Sequence, residues 1–434
     1  MNFAVATRAL RSRNYKLFFT GQGISLIGTW MTRIATSWLV YRLTGSAALL
    51  GVVGFAGQIP AFVLGPVAGV WVDRWNRHQI IVLTQFLSML QSFALAALAL
   101  AHIITVWEIV VLALAQGMIN AFDMPARQSF VIQMVDRRED LPNAIALNSS
   151  IVNASRLIGP SIAGIVVAAV GEGYCFLLDG ISYIAVVVSL LMMRVEPTSA
   201  TRPQRQLVHE LIEGWRYVSG SVPIRSILLN LSVISLFGMP YTVLMPVFAA
   251  GILGGGAHTL GFLMAATGVG ALSGAIGLAA RKSVIGLGSR IVVTGGLFGL
   301  ALVGFSLSHW LWVSMLLLPI VGFGMMQQMA ASNTILQTIV SDDMRGRVMS
   351  YYSMAFAGTA PFGSLAAGYI ADRIGAPATL MIGGAACVVG ALWFVTQLQR
   401  IRHQIRPIYI RLGILPEIAA GIQTAAVLQE TTER

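Results

Sequence analysis

Four ionisable side chains stand inside long apolar runs of this 434-residue chain: Arg33, Glu108, Arg156 and Asp179. A charge in hydrocarbon costs at least about 2.5 kcal/mol even on a lenient insertion scale, so each of the four marks a functional position. Counting ~1.5 Å of rise per residue places Arg33, Arg156 and Asp179 roughly 20 to 24 Å from the charge-rich end of their runs, and Glu108 at about 25 Å. Two cations and two carboxylates at one depth are expected to neutralise one another and to leave a protonatable pair. Proton arrival on Asp179 or Glu108 would then release an arginine and bias the protein toward one of two states. Glu108, beside Trp107 at the end of its run, also reads as a wet interfacial residue, and Asp179 as a purely structural partner of either arginine.

Uncharged polar groups complete the inventory. Asn230, Tyr241, Gln327, Gln328 and Asn333 interrupt apolar runs of the second half and are expected to line a solute path. Met325, Met326 and Met329 beside them suit an adaptable, polarisable wall, which favours an amphipathic or aromatic solute over a sugar phosphate. Other chemistries lack their residues: no GxxxxGK[ST] phosphate loop, no HExxH and no GxSxG occur, and the six histidines are scattered. An enzyme is therefore not expected, nor ATP-driven work by this chain alone, nor any metal or other cofactor. Cys175 and Cys387 both lie in apolar runs and suggest neither a disulfide framework nor a CxxC site.

The elements that must position these residues follow from composition. The chain is 56% hydrophobic and 10% charged, against roughly 25% charged for a soluble domain. Apolar runs fall near 16–41, 46–72, 79–101, 105–125, 143–170 and 174–193, then near 224–250, 257–280, 291–308, 310–338, 348–371 and 377–397. Each is long enough to cross a hydrocarbon core of about 30 Å. The expectation is an all-α polytopic membrane protein of about twelve spans in two related six-helix bundles, 1–193 and 224–398, joined by a linker at 194–223 and followed by a tail at 399–434. With the N-terminus in the cytoplasm, 24 of the 28 Lys and Arg fall on the inner side. The positive-inside rule thus predicts both termini cytoplasmic in a bacterial inner membrane. The same placement argues against nucleic acid as the partner behind the net charge of +11, because the cations sit between apolar runs rather than on one polar face. In the linker, Leu207, Val208, Leu211, Ile212, Trp215 and Val218 recur at helical spacing opposite Glu210, Glu213 and Arg216. That pattern reads either as an amphipathic helix on the membrane surface or as a plain linker helix.

Internal similarity supports the duplication. Arg156-Leu-Ile-Gly159-Pro160-Ser-Ile-Ala-Gly164 follows the charged loop 136–140, as Gly358-Thr-Ala-Pro361-Phe-Gly363 follows 342–347. Parallel six-span halves are a transporter architecture with the substrate path at their interface.

Between the second and third runs stands Gly69-Val-Trp-Val-Asp73-Arg74-Trp-Asn-Arg77-His78. It resembles motif A of the major facilitator superfamily, GxxxDRxGRR, with Asn76 and His78 in place of a glycine and a basic residue. The resemblance assigns Gly69, Asp73, Arg74 and Arg77 to a gate whose charge-assisted hydrogen bonds break when the halves rock. At the corresponding place in the second half, 274–282, the acidic residue is missing. Gly368-Tyr-Ile-Ala-Asp372-Arg373-Ile-Gly375 also looks like the motif, but twelve spans put it outside, and no gating role is expected of it. Ser155, Gly159, Pro160 and Gly164 are similar to the exporters' motif C, with Ala146 and Ala163 at two of its glycine positions. Small side chains there allow close helix approach, and Pro160 is expected to loosen the fifth helix. Together with Trp38–Ser46, Asp123-Met-Pro-Ala-Arg127 and Leu141-Pro-Asn-Ala144, these stretches look like the branch of enterobactin exporters and macrolide efflux pumps. That resemblance implies outward export of a drug-like or siderophore-like compound driven by protons, with import by the same fold as the competing reading. The implied partners are a small-molecule substrate, protons and the lipid bilayer; protein partners are unknown.

Overall fold

Every apolar run becomes a helix, because in hydrocarbon a backbone that is not part of a closed barrel must satisfy its own N–H and C=O groups. The computed structural model describes residues 7–195, 207–281 and 283–414. No strand occurs among them. The first half comprises α1 (Arg13–Thr44), α2 (Ala47–Arg74), α3 (Arg77–Leu100), α4 (Val106–Met134), α5 (Leu141–Val170) and α6 (Glu172–Leu191). A linker helix, α7 (Leu207–Gly220), leads to α8 (Val222–Ile252), α9 (Ala257–Ala279), α10 (Leu287–Ser306) and α11 (Leu311–Ile339). Next comes α12, built of Asp342–Ser353, a wide turn Met354–Gly358 and Ala360–Ile374, and last α13 (Ala376–Arg411).

Twelve helical rods thus stand where twelve runs were expected, and ten are long and apolar enough to cross a membrane by composition alone. The remaining two have local reasons. The first rod carries Arg33 among small polar residues, and the eleventh is broken by its wide turn.

Local signals set the rod ends. Gly45 ends α1 in the left-handed region at φ 64°, a conformation costly for any residue with a Cβ, and Ser46 caps α2. Gly171 (φ 92°) joins the fifth and sixth rods and Gly375 (φ 87°) joins the eleventh and twelfth, so the two halves share even this turn.

Packing between rods uses close approach of small residues, since lipid offers no hydrophobic drive for helix association. A Cβ on Gly261 of α9 would lie 2.6 Å from the Pro160 carbonyl oxygen of α5, and one on Gly368 of α12 would lie 2.6 Å from the Ala47 carbonyl oxygen of α2. These two seams join the halves.

The structure departs from expectation at the charge-rich end. The segment expected as a tail from 399 begins as helix: α13 continues to Arg411, and Ile401, Ile405 and Tyr409 are buried with Met344 and Val348. Their spacing of four places them on one face. Residues 415–434, and the linker at 196–206, lie outside the described residues. From Ile212 onward the linker is helical in α7; Val218 is buried and Arg347 of α12 pairs with Glu213 at 3.1 Å, while Ile212 and Trp215 of the expected apolar face are exposed. The side chains of 207–211 are outside the described part.

Candidate functional site

Consecutive turns of α1 bring Trp30 and Arg33 together at helical spacing of three, and Gly159 of α5 lets the two helices meet there. A Cβ on Gly159 would fall 2.5 Å from the Trp30 Cβ. The Trp30 ring consequently has two guanidinium groups against it, Arg33 at 4.7 Å and Arg156 of α5 at 5.6 Å from its centroid. Each contact contributes about 0.5–1 kcal/mol where water reaches it. Arg33 is exposed although it sits far along a membrane-spanning helix. Arg156 reaches across to the second half, its Nη2 3.8 Å from the Met325 sulfur of α11. Tyr241 of α8, fully buried, lies within the influence of the Arg156 charge. The pair therefore faces the space between the two halves.

The expected four-charge network does not form. Asp179 of α6 is 2% exposed, and one carboxylate oxygen accepts hydrogen bonds from Thr32 of α1 at 2.8 Å and Ser92 of α3 at 2.9 Å. The other oxygen faces Gly28, where a Cβ would come within 2.6 Å of it. Neutral hydroxyls, not arginines, hold this acid. Glu108 closes a capping box at the start of α4, accepting the Thr105 N–H at 2.6 Å, which is an interfacial, structural role. The physical reason is azimuth. Thr32 and Arg33 are neighbours in sequence but point about 100° apart around the helix, so one meets α6 and the other the inter-half space.

A second buried carboxylate joins this polar layer. Asp123 of α4, 6% exposed, pairs with Arg127 and accepts hydrogen bonds from Thr84 at 2.9 Å and Gln85 at 2.8 Å. Asp123 and Arg127 stand out in the sequence only as part of a family stretch; their spacing of four on one helix is the signal that pairs them.

In the second half, the expected path residues mostly turn inward. Asn230, Gln327 and Gln328 are at most 1% exposed. Gln327 donates to the Gly274 carbonyl of α9, and Asn230 lies against Gly390 of α13. Asn333 accepts from Gln337 on its own helix at 2.7 Å. Among the five, Tyr241 alone is placed beside the arginine pair. Asn230, Gln327 and Gln328 belong to the bundle interior in this conformation, whereas Asn333 stays partly exposed.

The two ends of the molecule differ. Toward the charge-poor end, Ser155, Gly159, Pro160 and Gly164 are buried in the seam of α5 with α1 and α9. Pro160 does not break α5, which runs unbroken through it. Phe62 and Phe55 of α2 meet Phe362 of α12 edge-on at 6.0 and 5.8 Å. Asp372, expected to be idle, joins the halves: it accepts the Ala47 N–H at 2.7 Å and the Ser46 hydroxyl at 2.8 Å, capping α2 from α12. Toward the charge-rich end, α5 is exposed on several faces over 145–152. The motif A region there has open surroundings: a Cβ on Gly65 or Gly69 would meet nothing within 4 Å, and Arg74 is exposed. Asn76 caps α3 through the His78 N–H at 3.0 Å, and the His78 ring bonds the Leu190 carbonyl at 2.8 Å, so the two departures from the motif serve local structure. Arg77 opens α3; the Asp73 side chain lies outside the described part. The halves thus meet in close seams toward the charge-poor end, while the motif A glycines at the other end have open surroundings.

Comparison with known proteins agrees with this architecture. Residues 5–406 match the family model described as transmembrane secretion effector. The chain is 25% identical to the staphyloferrin A transporter of Staphylococcus aureus, over 89% of this chain and 97% of that protein. It is 26% identical to the multidrug efflux pump Tap of Mycolicibacterium fortuitum, over 82% and 88% respectively. Among solved structures, a bacterial homologue of the human lysosomal transporter spinster superposes with a TM-score of 0.63 at 15% identity, covering 92% of this chain and 98% of that one.

Proposed function

Since this chain belongs to the transmembrane secretion effector family, within the major facilitator superfamily, and is a multi-pass membrane transporter of small molecules rather than an enzyme, we propose that it exports an amphipathic, drug-like or siderophore-like compound in exchange for protons. The charge-rich end is cytoplasmic in this reading, with both termini there, in the bacterial inner membrane; the open surroundings of Gly65 and Gly69 support an arrangement open toward the cytoplasm.

The observation that carries the proton-coupled reading is the setting of Asp179. A deeply buried carboxylate held by the hydroxyls of Thr32, Ser92 and Ser182 has, among the described residues, no ion pair to break before it takes a proton. Thr32 precedes Arg33 on α1, so loss of its bond to an ionised Asp179 frees the same helix that carries Trp30 and Arg33. Protonation from outside and solute binding from inside would then bias α1 toward opposite states, as exchange requires. Asp73, Arg74 and Arg77 act in this scheme as the cytoplasmic gate, and Asp372 as its counterpart at the other end.

The test uses everted membrane vesicles. Asp179→Asn is expected to retain solute movement down its own gradient while losing acceleration by an imposed pH gradient. Acceleration equal to wild type would overturn the assignment. A screen of accumulation in cells with and without the gene, each with and without a protonophore, identifies the solute.

A further inference from the structure

We propose that the two guanidinium groups against Trp30 form an anion site, and that the solute carried by this protein bears a carboxylate on an apolar or aromatic body. The inference rests on the transporter reading above and adds the chemical class of its substrate.

Two like charges held against one ring repel each other, and neither Arg33 nor Arg156 contacts an acidic side chain among the described residues. The carboxylates buried in this half are engaged elsewhere. Asp179 is bound by Thr32 and Ser92, Asp123 by Arg127, Thr84 and Gln85, Asp140 by Arg8, and Glu172 by Arg42 at 2.8 and 3.1 Å. Among the described residues no carboxylate meets the two guanidinium groups, whereas a solute entering between the halves can.

The surroundings fit such a guest. Guanidinium forks bind carboxylate oxygens through paired N–H donors, more strongly than neutral groups do. Arg33 is exposed and so reachable, and Arg156 bridges from α5 toward α11. The opposite wall offers the Met325 sulfur and, on α8, the Tyr241 side chain. Those groups accept an apolar body and a polar substituent. A cationic amphiphile would meet two like charges with no compensating carboxylate, which is discrimination by repulsion.

The full-length protein, purified in lipid nanodiscs, is titrated by thermal shift with 1-naphthoate, with the neutral 1-naphthalenemethanol and with tetraphenylphosphonium. Wild type is expected to bind naphthoate saturably and at least about tenfold more tightly than either other probe. Arg33→Gln and Arg156→Gln should each weaken naphthoate binding by about tenfold or more. The Lys variants, which keep the charge and lose the fork, should fall between; they also serve if a Gln variant fails to fold. Absence of saturable naphthoate binding to wild type, equal affinity for tetraphenylphosphonium, or unchanged affinity in the Gln variants would overturn the proposal. Failure of the proton-exchange reading looks different: naphthoate would bind through the arginines while no imposed pH gradient moved any solute in vesicles. Proton-driven efflux of a cationic dye, without naphthoate binding to wild type, would retain that reading and reject the anion site.

Discussion

At Asp123 the first half buries a carboxylate in a manner opposite to Asp179, with a cation supplied four residues along the same helix. Breaking such a pair strands a charge, which costs on the order of 3 kcal/mol when the site is well buried. Arg127→Ala is therefore expected to lower the unfolding temperature of the solubilised protein by several degrees, and Asp123→Asn with Arg127→Gln to restore much of it. A double-mutant cycle by thermal unfolding checks this, and additive effects would show that the pair is not coupled. Asp179→Asn should change stability far less, because its hydroxyl partners can bond an amide as well as a carboxylate. Asp179 was legible in the sequence as a charge in an apolar run, whereas the burial of Asp123 and Glu172 was not. Nor were their partners. Rise per residue fixes depth, whereas azimuth decides whether Arg33 meets Asp179 or Trp30, and azimuth depends on which helix packs on which face. Trp30 itself carried no signal, being one aromatic residue in an apolar run.

Among the elements, α5 and α9 set how closely the halves can approach. Gly164 admits the backbone of α9, where a Cβ would lie 2.9 Å from the Ala257 carbonyl oxygen. Gly164→Leu is expected to insert and fold but to hold the charge-poor end apart, reducing transport at least tenfold; wild-type efflux from cells producing normal amounts of the variant would contradict this. The expectation of close approach at the motif C positions was readable from residue size alone. The breaks in the second half were not. Wide turns at Ile234–Gly238 of α8 and Met354–Gly358 of α12 face each other, with the Ser235 hydroxyl donating to the Phe356 carbonyl. Such turns are enriched at functional sites and permit bending, yet depend on tertiary packing rather than on a residue signature. The extension of α13 beyond the bilayer was visible only as apolar residues at 401, 405 and 409, a spacing easily lost among six neighbouring polar and basic residues.

For the whole molecule, the pattern Gly-x-x-x-Asp-Arg occurs once at the charge-rich end of α2 and once at the charge-poor end of α12. Twelve runs and two halves were plain from composition and charge bias, but the function of the second copy emerged only with α12 placed against α2. There Asp372 caps a helix of the other half, and loss of such a cap typically costs about 0.5–2 kcal/mol. Asp372→Ala is thus expected to move the equilibrium toward opening at the charge-poor end, by roughly 2- to 30-fold at that energy. Asp73→Asn should shift it the other way and abolish transport while leaving insertion intact. Spin-label distances across each end measure both effects. Shifts in the same direction, or none, would refute the paired-latch scheme. Cys175 and Cys387 are both fully buried, so labels placed on engineered surface cysteines should be specific.

Gly159 is a seam residue and also the seat of the Trp30 side chain. An inherited change there would touch two traits at once: which compounds are recognised and how fast the protein cycles. Variants selected for a new compound through this position are therefore expected to lose turnover, whereas changes at Met325 can alter preference and spare speed. The route by which this protein acquires new cargo should run through the wall supplied by the second half.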